Sequence, residues 1–516
     1  MQPHVDLALV GGGSTATSFL AQLIELLDNR VHSQPWRILV FEPSKRLGPG
    51  GPYAEDLSTN LLNIPAGKMS AYANDRGHFL RWVNSQSSTL LEQHGVVNTD
   101  PAAFLPRPLF GLYLTEVWTT LLQRAARVRI EIKHIPTDVR GISLAPENSD
   151  TLLDTPMGQY RARRTVLCNG NLPSTTFPEL TSRPGYFNTP YPAIDLARNI
   201  PHNAKVAVLG TSLSAIDAII ALKENGHQTP LLAVSRNGRL PSVRTINSGL
   251  FPVNAPTLQE ITSLADNQGG SLTLQSAFSF IQQRLVAAGG ELDWEDVLGQ
   301  GDHPHDILNK EITASTSKPR VWQNIAISLN EIIEHIWRLL PESEKQIFNS
   351  KWRSLWMARR ATFPMKNALK IKHYIDANQL RIAAGFVDCQ PCKDTGGYTI
   401  TLNDAQGEVQ THQVQYVVNA TSFSTNVSQT DVPLMRSLIL QGLAVPDPYG
   451  GVRLDFDSGC LINAEDKIVS NISLMGSLAA GTYFWTTSLD VNSRLAYQQA
   501  KRIAETVPHL ACVEST

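Results

Sequence analysis

The stretch Leu7–Leu23, LALVGGGSTATSFLAQL, decides how this chain folds. An apolar run of strand type breaks at Gly11, passes through small residues and continues with helical periodicity. Gly11-Gly12-Gly13-Ser14-Thr15-Ala16 fits the pattern G-x-G-x-x-G/A. Gly11 permits a tight turn after the strand, Gly13 lets backbone N–H groups approach a pyrophosphate, and Ala16 lets the helix pack closely on a sheet. The helix N-terminus adds partial positive charge for the phosphates. WRILVFE then reads as the next strand and ends on Glu42. An acidic residue there takes adenosine ribose hydroxyls and disfavours a 2′-phosphate. Strand, turn, helix and acid together predict a dinucleotide-binding unit suited to FAD or NAD.

A second such unit stands in mid-chain. KVAVLGTSLSAIDA, Lys205–Ala218, keeps the first glycine, Gly210, and a small residue, Ala215, at the packing position. Ser212 replaces the middle glycine, followed by Leu213 and Ser214. The next strand ends in Ser235-Arg236, where the first unit carries Glu42. A hydroxyl and an arginine favour the 2′-phosphate of NADP over a bare ribose. The contrast predicts FAD in the first unit and NADPH, in preference to NADH, in the second. A vestigial second unit that binds nothing is the competing reading, because Ser212 weakens the box.

The bulk numbers narrow the partners. The 516 residues allow two or three domains. Lys plus Arg number 44 against 46 Asp plus Glu, for a net charge of -2, which argues against nucleic acid or an anionic membrane. Five cysteines in so long a chain suggest a reducing compartment. With no basic n-region at the start and no apolar run long enough to span a bilayer, a cytoplasmic protein is expected. The partner is expected to be a small molecule. The oligomeric state is left open, a homo-oligomer among the options.

The expected fold is α/β, with two Rossmann-like dinucleotide-binding domains and a mainly helical insertion. Residues 1–198 are assigned to the first part of the FAD-binding domain and 199–255 to the first part of the NAD(P)-binding domain. Helical spacing fills 256–378, return strands of the two domains fill 379–425, and 426–516 give the C-terminal part of the FAD-binding domain. Within this scheme TSRPGYFNTPYPAIDLARNIPHNA reads as a linker, being rich in proline and turn residues.

Several segments then resemble one family. They are GPGGPYAEDLSTNLLNIPAGKMS (48–70), FLPRPLFGLYL (104–114), the second box, SRNGRLP (235–241), VVNATSF (417–423) and GSLAAGTYFWTTSLDVNSRLAYQQA (476–500). The chain resembles the bacterial FAD/NAD(P)-binding flavoproteins with two dinucleotide-binding domains, related to the flavin-dependent amino-acid N-monooxygenases. The resemblance covers nearly the whole chain, least clearly the helical region. It implies that NADPH reduces FAD, and that a flavin hydroperoxide formed with molecular oxygen hydroxylates a small molecule, such as the nitrogen of an amino acid or amine in specialised metabolism. It further implies cofactor contacts at Arg107, Gly170, Thr421, Gly476 and Leu489. Asn63, Met69 and Asn492 are candidates to face the isoalloxazine ring as catalytic residues; loop and helix-cap hydrogen bonding is the other role open to them. Departures from the family pattern are serine in NATSF where relatives have glycine, CNGN at the earlier equivalent site, and Trp485-Thr486-Thr487 where relatives often carry an acid. An NADPH-dependent reductase or dehydrogenase without oxygen insertion is one alternative. A flavin-binding scaffold with a dead nicotinamide site is the other.

Three further features invite bland readings. Cys389 and Cys392 have C-x-x-C spacing but lie far from either glycine box, so coincidence is favoured over a redox pair. Asp302, His303, His305 and Asp306 read as a solvated loop, and no metal is expected. The basic segment 357–374 holds Arg359, Arg360 and Lys366, which either line a solvated helix face or form an anion-recognising wall for a substrate carboxylate or the NADP phosphates.

Overall fold

The computed structural model describes residues 4–28, 35–146, 150–245, 255–290, 293–299, 301, 303–317, 320–392, 396–404 and 406–507. Asp302 and Cys512 lie outside them. The chain divides into two compact units: Met1–Ala54, Ile64–Leu172 and Ser424–Thr516 form the first, Glu55–Asn63 and Pro173–Phe423 the second.

The first unit opens with β1 (Val5–Val10), the helix Ser14–Leu27 and β2 (Trp36–Phe41). The long helix Arg107–Arg127 leads into β3 (Ile130–Ile135), β4 (Gly141–Leu144), β5 (Thr151–Thr155) and β6 (Gly158–Leu167). β1 lies between β2 and β6 and runs parallel to both. Such burial on both faces explains why it reads as an unbroken apolar run.

The second unit contains β7 (Tyr186–Phe187), β8 (Val206–Leu209), the helix Leu213–Glu224 and β9 (Leu231–Val234). After the helical region come β10 (Leu380–Ala383), β11 (Phe386–Pro391), β12 (Tyr398–Asn403), β13 (Val409–Val414) and β14 (Tyr416–Asn419). Strands β10-β9-β8-β14-β7 make a parallel sheet, and β11-β12-β13 an antiparallel one. Alternate side chains of β8 serve two cores. Val206 and Val208 pack with Ile216, Ala368 and Ile371, while Ala207 and Leu209 pack with Ile400 and Leu402. The chain then returns to the first unit as β15 (Cys460–Ile462), β16 (Ile468–Leu474) and the last helix, Leu489–Thr506. β16 pairs parallel with β6, completing the order β15-β16-β6-β1-β2-β3.

The structure redraws some expected boundaries. Residues 173–198, expected with the first domain, pack in the second unit, where β7 pairs with β14. The supposed linker thus contains a strand and the helix Ala193–Asn199. Residues 55–63 also belong to the second unit. The reason is Asp56, whose carboxylate accepts the first two amides of that helix, Ala193 and Ile194, both at 2.9 Å. Met365–Asp376, expected within the insertion, is the crossover helix between β9 and β10, because Ala368 and Ile371 close the core beneath β8. No helix of the described residues is long and apolar enough to cross a membrane.

Candidate functional site

In the first unit the box forms where β1, β6 and β16 end. Gly11 holds φ +103°, and a Cβ there would lie 2.3 Å from Cys168 O, at the end of the neighbouring strand. Gly13 is different. It caps the helix at φ -86°, a conformation open to any residue, but its Cβ would lie 3.1 Å from Gly50 Cα. Close approach of the loop, not backbone angle, requires that glycine. The approach is fixed by Gly48 N–H donating to Gly12 O at 2.8 Å and by the Thr17 hydroxyl, which reaches Gly13 O at 2.9 Å and Gly48 O at 3.2 Å.

The mouth of this turn is suited to an anion. The helix has no side-chain cap and no acid in its first turn, and Ser14 and Thr15 are partly exposed. Ala16 is fully buried, as its packing task demands. Glu42 accepts from Gly12 N–H and from Ser44 N–H, each at 3.0 Å, which aims its carboxylate across the turn with lone pairs to spare. Gly476 comes within reach of Thr15, since a Cβ on it would lie 3.7 Å from Thr15 Oγ1. The Ser477 hydroxyl donates to Gly170 O at 2.8 Å. Gly11, Thr15, Gly170 and Gly476 are therefore brought together. These features fit a dinucleotide such as FAD: bare amides for the pyrophosphate, a carboxylate for the ribose, and glycines where backbone must come close.

The other candidates of this unit sit on two helices and a loop. Arg107 begins the long helix, whose Gly111 packs against Tyr53 so closely that a Cβ would lie 2.0 Å from Tyr53 O. Burial pushes the Tyr53 phenol up to about 12, with Arg107 opposing and Asp490 adding to the rise, so all three groups share one field. Leu489, the first residue of the last helix, is buried. Asn492 donates from Nδ2 to Thr486 O at 2.7 Å, and its Oδ1 is buried with no hydrogen-bond partner among the described residues. Met69 is buried in a loop tied to the first helix: the Ser18 hydroxyl donates to Ala71 O at 2.5 Å and Ala73 N–H to Gln22 Oε1 at 2.8 Å. Gln22 Nε2 also donates to Ser493 O at 3.0 Å, joining that loop to the last helix. The sequence reading passed over Ser18 and Gln22. Their only signal was polar residues spaced four apart within an apolar helix.

The second unit repeats the turn with different chemistry. Gly210 holds φ +117°, and its Cβ would lie 2.6 Å from Ala420 O, as Gly11 meets Cys168. Ser212 caps its helix at φ -89°, almost the angle of Gly13, and is exposed. Exposed and at an angle any residue adopts, its backbone has no need of glycine. Ser212→Gly is thus expected to change nicotinamide affinity by less than about twofold, measured by titration, because neither strain nor a cap bond is involved. Leu213 starts the helix, half-buried, and Ser214 Oγ lies 3.4 Å from the Tyr191 hydroxyl, which donates to Asp217 at 2.7 Å. Ser214 thus belongs to that side cluster.

Ser235 turns inward. Its hydroxyl lies 2.9 Å from Thr211 Oγ1 and accepts from Gly238 N–H at 3.0 Å. Thr211 Oγ1 also donates to Arg239 O at 2.6 Å. Residues 235–239 therefore fold as an arch beside the turn. Ser235 shapes the arch, while Arg236 is exposed on it and Arg239 half-buried. Arg239 was missed because the sequence pattern stops at the strand end. Thr421 follows β14 beside Gly210 and bonds to Asn419 Oδ1 at 2.6 Å. The next residue, Ser422, takes φ +137°, strained for anything but glycine. That is the position where the family pattern has glycine. Asn63 groups with this unit, its backbone O accepting from Arg244 at 3.3 Å, whereas Met69 groups with the first.

The anion-recognising wall does not form. Arg359 is buried and committed to Glu311 Oε1 at 2.6 Å, Val297 O at 2.8 Å and Asp296 O at 2.5 Å. Arg360 is buried against Asn330 Oδ1 at 2.5 Å. Lys366 is exposed on a different helix, near Glu224. A buried guanidinium bonded to protein on several sides has no donors aimed at solvent, so these three make no common surface. Cys389 is buried in β11, where burial pushes its thiol up to about 12, and no disulfide joins it to Cys392. His305 lies in the helix Pro304–Ser317, not in a loop, 2.8 Å from Asp376. Among the described residues no cluster of three metal-binding side chains occurs.

Residues 8–172 match the family model described as FAD-NAD(P)-binding. No curated protein matches the chain in sequence. Solved structures match over its full length at low identity. L-lysine 6-monooxygenase from Pseudomonas syringae has 16% identity and a TM-score of 0.60, with 98% of this chain and 99% of that one covered. The ornithine N-hydroxylase of Kutzneria sp. 744, solved with reduced FAD, NADP+ and L-ornithine, has 16% identity and a TM-score of 0.54, with coverage of 98% and 99%. The FAD-bound cadaverine monooxygenase of Erwinia amylovora has 14% identity and a TM-score of 0.52, covering 100% and 98%. The chain thus carries an FAD-NAD(P)-binding domain over residues 8–172, within the fold shared by these two-dinucleotide-domain flavoproteins.

Proposed function

We propose that this chain is an FAD-containing, NADPH-dependent monooxygenase that N-hydroxylates a small amine or amino acid. The observation that carries the reading is the contrast between two like turns: a carboxylate, Glu42, across the first and the arginines of the 235–239 arch beside the second. A carboxylate accepts ribose hydroxyls and repels a phosphate there; guanidinium groups do the reverse. The fold shared with lysine, ornithine and cadaverine monooxygenases supports the amine substrate class.

Bound FAD, once reduced, supplies the electrons that activation of dioxygen consumes. The chain's own residues bind, orient and exclude water. Ser14 and Thr15 amides hold the pyrophosphate, and Glu42 the ribose. Arg107, Gly170, Gly476 and Leu489 surround the same mouth, and buried Met69 and Asn492 wall the ring from water. In the second unit Gly210, Ser212, Leu213 and Thr421 frame the nicotinamide cofactor, with Arg236 and Arg239 at its 2′-phosphate.

Purified protein is expected to release FAD on denaturation, to be bleached by NADPH faster than by NADH, and to yield a hydroxylamine from one member of a panel of diamines and basic amino acids. Flavin that stays oxidised with both nicotinamides would sink the proposal. Arg236→Ala is expected to raise KM for NADPH about tenfold and leave that for NADH unchanged, since it removes a phosphate contact that NADH never makes. Steady-state bleaching rates with both cofactors measure this.

A further inference from the structure

Residues Ser242–Thr245, directly after the arginine-bearing arch, are gripped by buried polar groups. The Ser242 hydroxyl and Val243 N–H donate to Glu311 Oε2 at 2.7 and 2.9 Å. Val243 O accepts from Arg320 at 3.2 Å, Gln323 at 2.8 Å and the Ser315 hydroxyl at 3.0 Å. Thr245 N–H donates to Gln323 Oε1 at 3.0 Å. Backbone bonds to Ala358 and Phe363 hold the other edge. Glu311 is only 5% exposed and is itself clamped by Arg320 and Arg359 at 2.7 and 2.6 Å.

Buried ion networks are poor stabilisers, because desolvation offsets most of the attraction. What such a network can supply is one geometry for the backbone it grips. That backbone is one foot of the arch. The other foot is pinned by Thr211 to Ser235 and Arg239, and Leu240 and Val243 are locked into the core between the feet and the helices. Arg236 and Arg239 ride on a span fixed at both ends.

We propose that Glu311 is a positioning residue for cofactor specificity: through Ser242 and Val243 it fixes the arch, and with it the spacing of the two guanidinium groups that meet a 2′-phosphate. The helical region then serves recognition indirectly, as a brace. Preorganised donors bind without first being ordered, so a loosened foot lowers affinity for the phosphate and not for the rest of the nucleotide. The inference rests on the NADPH reading above.

The test is calorimetric titration of the flavin-loaded protein with adenosine 2′,5′-bisphosphate and with 5′-AMP. Ser242→Ala removes the hydroxyl that donates to Glu311 and accepts from Arg320 at 3.3 Å and Gln323 at 3.0 Å; all three keep other partners, so no charge is stranded and the variant carries the test even where Glu311→Gln fails to fold. Losing the hydroxyl's bonds at this foot predicts at least about fivefold weaker binding of the bisphosphate, the equivalent of one net hydrogen bond, with 5′-AMP binding unchanged. Steady-state kinetics should show KM for NADPH rising alone. Equal weakening of both nucleotides marks an ordinary structural role and overturns the brace. So does a Ser242→Ala protein that discriminates as before, when Arg236→Ala does not; the NADPH reading then stands. A wild-type protein that binds both nucleotides equally overturns that reading and the brace together.

Discussion

Replacing Glu311 by glutamine is expected to destabilise the second unit by about 3–5 kcal/mol, the cost of breaking a buried ion network on one side. Glu311 accepts from Arg320 and Arg359, and both guanidiniums are buried, Arg320 to 2% exposure. Arg320 keeps Asp296 at 2.6 Å, but Arg359 is left with backbone carbonyls. Urea unfolding followed by tryptophan emission measures the loss, with Trp322 reporting directly, since both guanidiniums stack over its ring at 5.0 Å. A cost under about 1 kcal/mol would mean that the network relaxes around glutamine. The same residue sets an acid limb. Burial acts to raise its carboxyl, but the hydrogen bond from Arg320 and the charges of Arg359 and Arg320 outweigh this and hold it at about 2, below the ordinary 4.5. A depressed carboxyl contributes stability that is complete above pH 4.5 and is lost as pH falls towards 2. The Glu311→Gln protein should lack that part of the acid-induced loss.

The two turn glycines give the other large effect. Gly11→Ala forces a Cβ to 2.3 Å from Cys168 O, and Gly210→Ala to 2.6 Å from Ala420 O, each at positive φ. The obstacle is backbone of a neighbouring strand, which cannot swing aside as a side chain does. Each substitution must pry apart the strand pair whose ends form a cradle, and losing two amide hydrogen bonds to a charged phosphate, at about 1.5 kcal/mol each, costs on the order of a hundredfold in binding. Gly11→Ala is expected to lose flavin by about that factor, read from the flavin absorbance retained through gel filtration. Gly210→Ala is expected to keep its flavin yet lose NADPH affinity by a similar factor. Loss of flavin from Gly210→Ala, or its retention by Gly11→Ala, would reverse the assignment of cofactors to units.

Much of this was legible in the chain as written, because both boxes are local. A strand, a turn and a helix within about twenty residues carry their own geometry, and Glu42 and Arg236 follow at the next strand end. Even Ser212 could be read as a departure, although the reason it is tolerated could not. Gly13 and Ser212 have nearly the same backbone angles, but Gly13 has Gly50 packed against it, whereas Ser212 is exposed.

The basic segment misled for a physical reason. Arg359 and Arg360 carry the same formal charge on a solvated face as in a core. Their burial depends on Glu311, 48 residues away from Arg359, and on Asn330, 30 away from Arg360. Nothing in a charge run signals a distant partner. Asn63 is a similar case, since Asp56 binds its segment to a helix some 137 positions onward. The sequence by itself determined two strand–turn–helix units and the residue types at each strand end, because backbone angles, helix spacing and strand periodicity are properties of neighbours. Only the tertiary structure decided which loop serves which unit and which arginines are committed to the protein, because desolvation and charge pairing depend on residues that the chain brings together from far apart.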